Sequence, residues 1–348
     1  MSYFRDNIEK LAAYVPGEQP AAGEKVIKLN TNENPYPPSP AAMKVLRELD
    51  GDLLRRYPHP FAMKFRETAA RVLGVGAEYV LVGNGSDELL SMIMRAMAEP
   101  GRRVVYAMPT YVLYRTLAEI QAAEIVEVPY DEQYNLPVDA LAAAGGAVTL
   151  VCTPNSPSGT VAPTAQLKEL AGRLKGVLVI DEAYTDFADE NALELVGRCP
   201  NVVVLRTLSK GYSLAGLRVG FAVGKPDLLK GLAKVKDSYN VDAVACAVAA
   251  AAVEDQAHKT ANVEKVKASR GKLAADLVKL GFKVWPSQAN FMLVRPTDGN
   301  AERLYRELKD RRILVRYFKE PRLEDKLRIS VGTDDQNAAL VKAIAELI

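Results

Sequence analysis

The chain has 348 residues, of which 49% are hydrophobic and 25% are charged, as in a globular protein with a large core and room for two domains. The 45 basic and 43 acidic residues give a formal net charge of +2, which excludes the strong positive field of a nucleic-acid or anionic-membrane binder. The 3 cysteines and 2 histidines are too scattered for a metal site, and sparse cysteines favour a cytoplasmic location.

Residues 1–40 are expected to form an extended arm that begins with a short helix. Six prolines lie in this stretch, and proline lacks a backbone donor and resists helix formation. An extended arm is stable only when it packs on something. We therefore predict that it packs on a smaller domain of the same chain or on a partner subunit.

Residues 41–240 alternate short apolar runs with helical patterns, which predicts a large α/β domain. Runs without polar alternation suit strands that are buried on both faces of a mostly parallel sheet. The predicted strands are residues 79–82, 104–107, 125–128, 148–152, 177–180 and 202–205. In such sheets ligands bind at the carboxyl ends of the strands, so the candidate site residues are sought there.

Residues 241–348 predict a smaller α+β domain that follows a boundary near Asn240. A long helical region is expected over 242–280, with strands at 291–294 and 313–315 and helices at 301–311 and 335–348. The alanine-rich run at 241–253 is too short to cross a bilayer, and we expect no membrane partner.

The first strand end that carries candidate residues is the segment 83–88, which reads GNGSDE. Glycines allow close approach of the backbone, and the N-terminus of the following helix offers free N–H groups at Ser86 and Asp87 to an anion. The segment lacks the third glycine of a dinucleotide fingerprint and the lysine of a P-loop. The alternative is an ordinary turn in which Ser86 or Asp87 caps the helix.

Two further strand ends carry an acid and a base. The segment 177–184 reads VLVIDEAY, so a buried strand ends in Asp181 and Tyr184 follows three residues later. A carboxylate there can pair with a cationic ring nitrogen, or it can simply cap the next helix. Lys210 lies in TLSKG after the next strand; a lysine that is desolvated near another cation can be neutral and form a Schiff base. Ser209 and Arg218 could hold an anion beside it, although most lysines are solvated surface charges.

The loop 153–159 and Tyr111 complete the candidate set. The loop reads TPNSPSG, a rigid turn in which Asn155 and Ser156 could hydrogen-bond a bound ring. Tyr111 follows the strand 104–107 and is placed to stack on a flat ligand, although an aromatic residue there is more often part of the core.

Taken together and in this order, the motifs resemble the fold-type I aminotransferases that depend on pyridoxal 5′-phosphate (PLP), and most of all their histidinol-phosphate aminotransferase branch. The resemblance runs from NTNENP at 30–35 to LRISVGT at 327–333, and its most specific segments are LRTLSK at 205–210 and LAGLRVG at 214–220. One departure lies in the loop 153–159, where the family reads Asn-Pro-x-Asn-Pro-Thr-Gly. Ser156 occupies the place of the family's second Asn, and Asn155 precedes it.

The resemblance implies a role for each of these residues. Lys210 would hold the cofactor covalently and then act as general base and acid; Asp181 would keep the pyridine nitrogen protonated, and Tyr184 would bond the phenolic oxygen. The ring would lie under Tyr111 and beside Asn155 or Ser156, a choice that stays open. The cofactor phosphate would be held by Ser86, Asp87, Ser209, Arg218 and, from the partner of a homodimer, Tyr57.

The implied reaction moves an amino group from L-histidinol phosphate to 2-oxoglutarate in histidine biosynthesis. Arg328 and Arg316 would hold the phosphate of one substrate and a carboxylate of the other, with Tyr14 of the arm as a further donor. For each arginine the alternative is a surface ion pair. Two other activities remain open: an aromatic amino acid aminotransferase and a threonine-phosphate decarboxylase. A ligand-sensing regulator on the same fold would need an attached DNA-binding domain, for which we expect no room before Asn30.

Overall fold

The structure is a computed structural model that describes residues 2–12, 18–21 and 23–348. The strands within these ranges are β1 (Ile27–Lys28), β2 (Val80–Asn84), β3 (Arg103–Met108), β4 (Glu124–Pro129), β5 (Val148–Cys152), β6 (Val177–Asp181), β7 (Val202–Thr207), β8 (Val219–Gly224), β9 (Lys283–Val284), β10 (Phe291–Arg295), β11 (Ile313–Leu314), β12 (Arg316–Tyr317) and β13 (Leu327–Ser330). The helices are α1 (Asp6–Glu9), α2 (Pro40–Arg47), α3 (Gly51–Leu54), α4 (Met63–Leu73), α5 (Gly85–Met97), α6 (Leu113–Ile120), α7 (Val138–Ala143), α8 (Thr164–Arg173), α9 (Leu193–Arg198), α10 (Pro226–Ala233), α11 (Ala243–Glu254), α12 (Gln256–Lys279), α13 (Ala301–Asp310) and α14 (Asp334–Ala345).

A seven-stranded sheet forms the centre of the large α/β unit, in the order β2-β8-β7-β6-β5-β3-β4. Strands β4, β3, β5, β6 and β7 run parallel, and β8 is antiparallel to both of its neighbours. All six predicted strands are present, which confirms the predicted fold class. The strand β8 was not predicted, because its glycines at 220 and 224 weaken a strand pattern.

The smaller unit is built on a four-stranded antiparallel sheet in the order β12-β13-β10-β9. The predicted strand 313–315 corresponds to the two-residue strand β11, and a second short strand, β12, follows it. The first, β11, pairs in parallel with β1 of the arm, and the second, β12, joins the four-stranded sheet. The arm thus packs on the smaller unit through β1, while α1 contacts the large unit, where Asn7 Nδ2 donates to the Glu119 carbonyl of α6 at 2.7 Å.

The packing changes one helix later than the predicted boundary at residue 240. Helix α11 buries Ala245, Val248 and Ala252 in the same core as the large sheet, whereas α12 buries Val263 and Leu273 against the smaller sheet. The predicted single helical region 242–280 is two helices, because the side chain of Asp255 accepts the His258 amide and starts a new helix. The smaller unit therefore begins at about α12.

No helix in the described ranges is both long enough and apolar enough to cross a membrane.

Candidate active site

A cavity of about 270 Å³ lies at the carboxyl ends of β5, β6 and β7, where the sheet meets the arm and the smaller unit. Its lining includes most of the predicted site residues: Ser86, Asp87, Tyr111, Ser156, Asp181, Tyr184, Ser209, Lys210, Arg218, Arg316 and Arg328. Parallel strands deliver their last residues to one edge of the sheet, so side chains far apart in sequence converge here.

Lys210 follows β7 and points its amino group into this cavity. Its Nζ donates to the carbonyl oxygen of Thr31 at 3.3 Å and lies 5.8 Å from the centre of the Tyr184 ring. Burial, reinforced by the positive charge of Arg328, lowers the pKa of Lys210 to about 8. More of this amine is therefore neutral at neutral pH than in an exposed lysine, and the neutral form is the one that a nucleophile or general base requires.

The lowered pKa predicts how covalent attachment of PLP depends on pH. Only the neutral amine reacts, so the rate for the apoenzyme should rise with pH and level off above about 8, whereas an exposed lysine amine levels off only above about 10. The rate can be measured by stopped-flow absorbance after PLP is mixed with the apoenzyme, with N-acetyl-lysine amide as the exposed control. A rate that climbs in parallel with the control up to pH 10 would contradict the desolvated environment of Lys210.

Asp181 ends β6 at the bottom of the cavity and is 3% exposed. Its Oδ2 accepts a hydrogen bond from the Tyr114 hydroxyl at 2.8 Å, and its Oδ1 accepts one from the Ala183 amide at 3.1 Å. Burial raises the pKa of Asp181 to about 6, and the bond from Tyr114 opposes that shift. Both donors are neutral, so the carboxylate charge is available to a cationic ligand, as a protonated ring nitrogen is.

Tyr184 is also buried at the cavity wall. Its hydroxyl accepts a hydrogen bond from Asn32 Nδ2 at 3.0 Å, which leaves the hydroxyl proton for a ligand. Burial raises the pKa of Tyr184, and the nearby charge of Arg328 lowers it. The predicted bond from Tyr184 to the phenolic oxygen of a ring is compatible with this placement.

The opposite end of the cavity offers a cradle for an anion. The start of α5 lies against β8, where a Cβ at Gly220 would come within 2.5 Å of the Ser86 amide nitrogen. Gly85 adopts a positive φ of 76°, and a Cβ there would meet Arg218 Nη2 at 2.5 Å. Only glycine leaves the helix N-terminus open to a phosphate at these two positions.

Three side chains surround this cradle. The Ser209 hydroxyl accepts from Thr207 Oγ1 at 2.9 Å and so retains its own proton for an anion. Arg218 Nη2 lies 3.0 Å from Asp87 Oδ2, and the Tyr111 hydroxyl donates to Asp87 Oδ1 at 3.2 Å. The Asp87 carboxylate is engaged by these two donors, which agrees with the expectation that its backbone rather than its side chain would face the phosphate. The stacking role of Tyr111 stays a prediction.

The structure separates the two candidates in the loop 153–159. Ser156 lines the cavity, and its hydroxyl accepts from Arg328 Nη1 at 3.1 Å. Asn155 is absent from the lining: it is 1% exposed, its Nδ2 donates to the Pro109 carbonyl and Ser158 Oγ, and its Oδ1 accepts from Thr110. The amide of Asn155 holds the loop together, so the geometry favours Ser156 as the residue that contacts a bound ring.

Arg316 and Arg328 lie directly opposite each other on the antiparallel strands β12 and β13. Register partners point to the same face of a sheet, and both side chains line the cavity. The Arg316 guanidinium stacks on Phe318 at 5.3 Å, and that of Arg328 lies between Phe291 and Phe318. Each of the two guanidinium groups offers a planar pair of N–H donors to a ligand in the cavity.

The last two candidates lie elsewhere. Tyr57 is 82% exposed and stacks on Tyr239 at 4.5 Å, outside the cavity of its own chain, as the prediction of a residue donated to a partner requires. Tyr14 falls outside the described residues.

Three residues that were not predicted as site residues contact Asp181, Tyr184 and Lys210: they are Tyr114, Asn32 and Thr31, respectively. Tyr114 lies within a helix, where a buried tyrosine is usually part of the core, and its bond to Asp181 spans 67 positions. Asn32 does stand in the NTNENP motif, which was the available signal for the arm.

The donor set fits PLP at every polar group of that cofactor. A neutral lysine amine can bind its aldehyde, the buried Asp181 its pyridine nitrogen, Tyr184 its phenolic oxygen and the open start of α5 its phosphate. The fold and the site together define a PLP-dependent enzyme of fold type I.

Comparison with known proteins places the chain within this class. It belongs to the family described as aminotransferase class I and II, whose profile matches residues 24–344. Histidinol-phosphate aminotransferase 1 of Trichormus variabilis is 62% identical over 100% of this chain and 99% of its own length. The histidinol-phosphate aminotransferase of Citrifermentans bemidjiense is 44% identical over 100% of this chain and 99% of its own.

A solved structure supports the same family assignment. The histidinol-phosphate aminotransferase of Sinorhizobium meliloti, crystallised in complex with pyridoxal-5′-phosphate, superimposes with a TM-score of 0.90 at 27% identity and covers 100% of this chain and 99% of its own. The protein is a PLP-dependent aminotransferase.

Proposed function

We propose that this enzyme transfers an amino group between L-histidinol phosphate and 2-oxoglutarate in histidine biosynthesis. The observation that carries the proposal is the Arg316–Arg328 pair. The two guanidinium groups line one cavity from directly opposite positions on neighbouring strands, which suits an anion that binds between them. A phosphate dianion can accept paired hydrogen bonds from both guanidinium groups. The names of the full-length relatives at 62% and 44% identity specify a phosphorylated substrate.

The residues around the cofactor site have separate roles in the proposed reaction. When bound, PLP supplies an electron-withdrawing ring that stabilises negative charge on the substrate carbon. Asp181 would hold the proton on the ring nitrogen, and Tyr184 would orient the ring through its phenolic oxygen. Lys210 Nζ would hold the cofactor between turnovers. When free, its neutral amine can take the proton from the substrate carbon and, as the ammonium group, give that proton to the reacting carbon of the cofactor.

The same two arginines can serve both halves of the reaction. A carboxylate of glutamate or 2-oxoglutarate also accepts bidentate hydrogen bonds from a guanidinium group. The donor and the acceptor therefore occupy one site in turn, which predicts ping-pong kinetics.

A direct comparison of substrates tests the proposal. Amino transfer to 2-oxoglutarate should be faster with histidinol phosphate than with phenylalanine at equal concentrations, and threonine phosphate should release no carbon dioxide. Because a lost charge-assisted contact costs about 1.5–3 kcal/mol, we expect at least about a tenfold preference in kcat/KM for histidinol phosphate over phenylalanine. A preference for phenylalanine, or carbon dioxide from threonine phosphate, would replace the proposal with one of the two alternatives.

We infer further that the enzyme works as a homodimer whose subunits share their active sites. Three exposed apolar side chains lie within one short stretch of the sequence, at Leu54, Tyr57 and Phe61, and the exposed Tyr239 stacks on Tyr57. Surface patches of this kind commonly cover one another in a second copy. Tyr57 would then reach the cofactor phosphate of the partner subunit.

The substitution Tyr57→Phe tests this arrangement. Loss of a hydroxyl that donates to a phosphate should weaken PLP binding by the apoenzyme about tenfold, because hydrogen bonds to charged groups are the strong ones. Tyr239→Phe is the matched control, since it removes a hydroxyl from the same stacked pair and should leave PLP affinity unchanged. Light scattering that reports a monomer which still binds PLP as tightly as the wild type would contradict the shared site.

We also place the enzyme in the cytoplasm. All three cysteines are free thiols, which is the state that a reducing compartment maintains.

A further inference from the structure

Behind Asp181, on the side away from the cavity centre, lies a tyrosine with no role in the scheme above. Tyr114 belongs to α6 and is completely buried, and its hydroxyl oxygen is 2.8 Å from Asp181 Oδ2. The two residues are 67 positions apart, so this bond joins α6 to the end of β6. Buried hydroxyl–carboxylate bonds of this length are strong because one partner is charged.

The direction of this hydrogen bond is determined by the chemistry of the two groups. An ionised carboxylate can only accept, and burial together with the charge of Asp181 raises the pKa of Tyr114 well above its usual value. The tyrosine therefore keeps its proton and donates it to Asp181. The nearby Cys152 thiol donates to the Pro154 carbonyl at 3.2 Å.

The position of the Tyr114 ring is fixed by aromatic packing. Tyr106 lies edge-on to it at 6.0 Å and Tyr111 at 5.8 Å. With the Ala183 amide on Oδ1 and the Tyr114 hydroxyl on Oδ2, the carboxylate plane of Asp181 has one fixed donor on each oxygen. Such preorganisation lets a cationic ring nitrogen bind without reorienting the acid.

We propose that Tyr114 is a positioning residue that keeps Asp181 ionised and oriented toward the ring nitrogen of the cofactor. The inference rests on the proposed role of Asp181 in this aminotransferase. The Tyr114 hydroxyl then sets the affinity for PLP and the lower pH limit at which the site binds it.

The other groups that face Asp181 cannot take over this task. Cys152, its register partner on β5, is a buried thiol, which is a weak donor and already donates to the Pro154 carbonyl at 3.2 Å. Asp87 on α5 and the adjacent Glu182 are acidic; each has its own arginine, Arg218 at 3.0 Å and Arg206 at 2.8 Å. The hydroxyls of Tyr111 and Tyr184 are bonded to Asp87 and Asn32. Without the Tyr114 hydroxyl, the pKa of Asp181 rises from about 6 toward neutrality.

The test is Tyr114→Phe, which removes one oxygen and keeps the ring packing. We expect the Kd of the apoenzyme for PLP at pH 7 to rise about two- to tenfold, because the loss of a hydrogen bond to a charged group raises the pKa of Asp181 and so lowers its ionised fraction. The ratio of variant to wild-type Kd should fall toward 1 at pH 9, where Asp181 is ionised again, and grow at pH 6. Fluorescence quenching on PLP addition measures these constants, and circular dichroism confirms that the variant is folded.

Two comparisons separate this role from a purely structural one. Tyr106→Phe is the matched control: it removes a hydroxyl from the same aromatic cluster, but that hydroxyl donates to Glu127 at 2.7 Å and should not affect PLP. In an Asp181→Asn background, Tyr114→Phe should cost no further PLP affinity, because no ionised carboxylate remains to be positioned.

The proposal is overturned if Tyr114→Phe binds PLP like the wild type from pH 6 to pH 9, or if Tyr106→Phe shows an equal, pH-dependent loss. It is also overturned if the two substitutions at positions 114 and 181 add fully. Failure of the wild-type apoenzyme itself to bind PLP would instead contradict the function from which the inference starts.

Discussion

Replacement of Lys210 by alanine should remove the visible absorption that marks covalently bound PLP and lower kcat about 10²- to 10⁴-fold or more. The substitution removes two functions of the Lys210 amine at once. In the proposed mechanism it is the nucleophile that holds the cofactor and the base that moves the proton, and burial lowers its pKa to about 8. The other residues that line the cavity stay in place, so the variant should still bind PLP without a covalent bond. Spectra of the purified protein and steady-state rates with histidinol phosphate measure the two effects.

A lysine outside the cavity serves as the control for this substitution. Lys230 lies on α10 in an exposed ion pair with Asp227, and Lys230→Ala should change neither the spectrum nor the rate. Borohydride reduction of the wild-type enzyme followed by peptide mass spectrometry should place the cofactor on Lys210. A Lys210→Ala protein that keeps both its visible absorption and its activity would show that another group holds the cofactor.

Replacement of Arg316 by alanine should raise KM for histidinol phosphate about 10- to 100-fold and leave the Kd for PLP within about twofold. The expected size is that of a lost charge-assisted hydrogen bond in a partly buried site. Arg316 is the cleaner of the two arginines to remove. Arg328 also donates to the Asn30 carbonyl and to Ser156, so its loss would disturb the arm and the loop as well.

The charge and the fork of Arg316 can be separated by a second substitution. Arg316→Lys retains the charge but loses the planar pair of donors, so KM should lie between those of the wild type and Arg316→Ala. Arg306→Ala, on the exposed face of α13, is the control for loss of a surface arginine. Equal losses of affinity for substrate and for PLP in Arg316→Ala would contradict a role in substrate binding.

Most of the fold could be predicted from local sequence patterns. The inner parallel strands β3, β5, β6 and β7 are mostly apolar runs that are buried on both faces, whereas the edge strand β4 is only partly buried. The predicted strand 148–152 matches β5 residue for residue. Helix α14 begins at a capping box formed by Thr333 and Gln336, one residue before the predicted start. By contrast, the break between α11 and α12 depends on which core each helix packs against, and the helical pattern of 242–280 is uninterrupted by proline or glycine until Gly271.

Within the site, the sequence alone predicted which groups are reactive. Lys210, Asp181, Tyr184 and Arg218 follow strands at spacings that resemble one family, and strand order in a parallel sheet brings such ends together. Only the tertiary structure decided how these groups are supported. The pairing of Arg316 with Arg328, the turning of Asn155 away from the cavity and the bond from Tyr114 to Asp181 are contacts between segments that no local periodicity connects. The functional group of a side chain is given by the residue type. Its hydrogen-bond partners and its pKa depend on which distant segments pack against it.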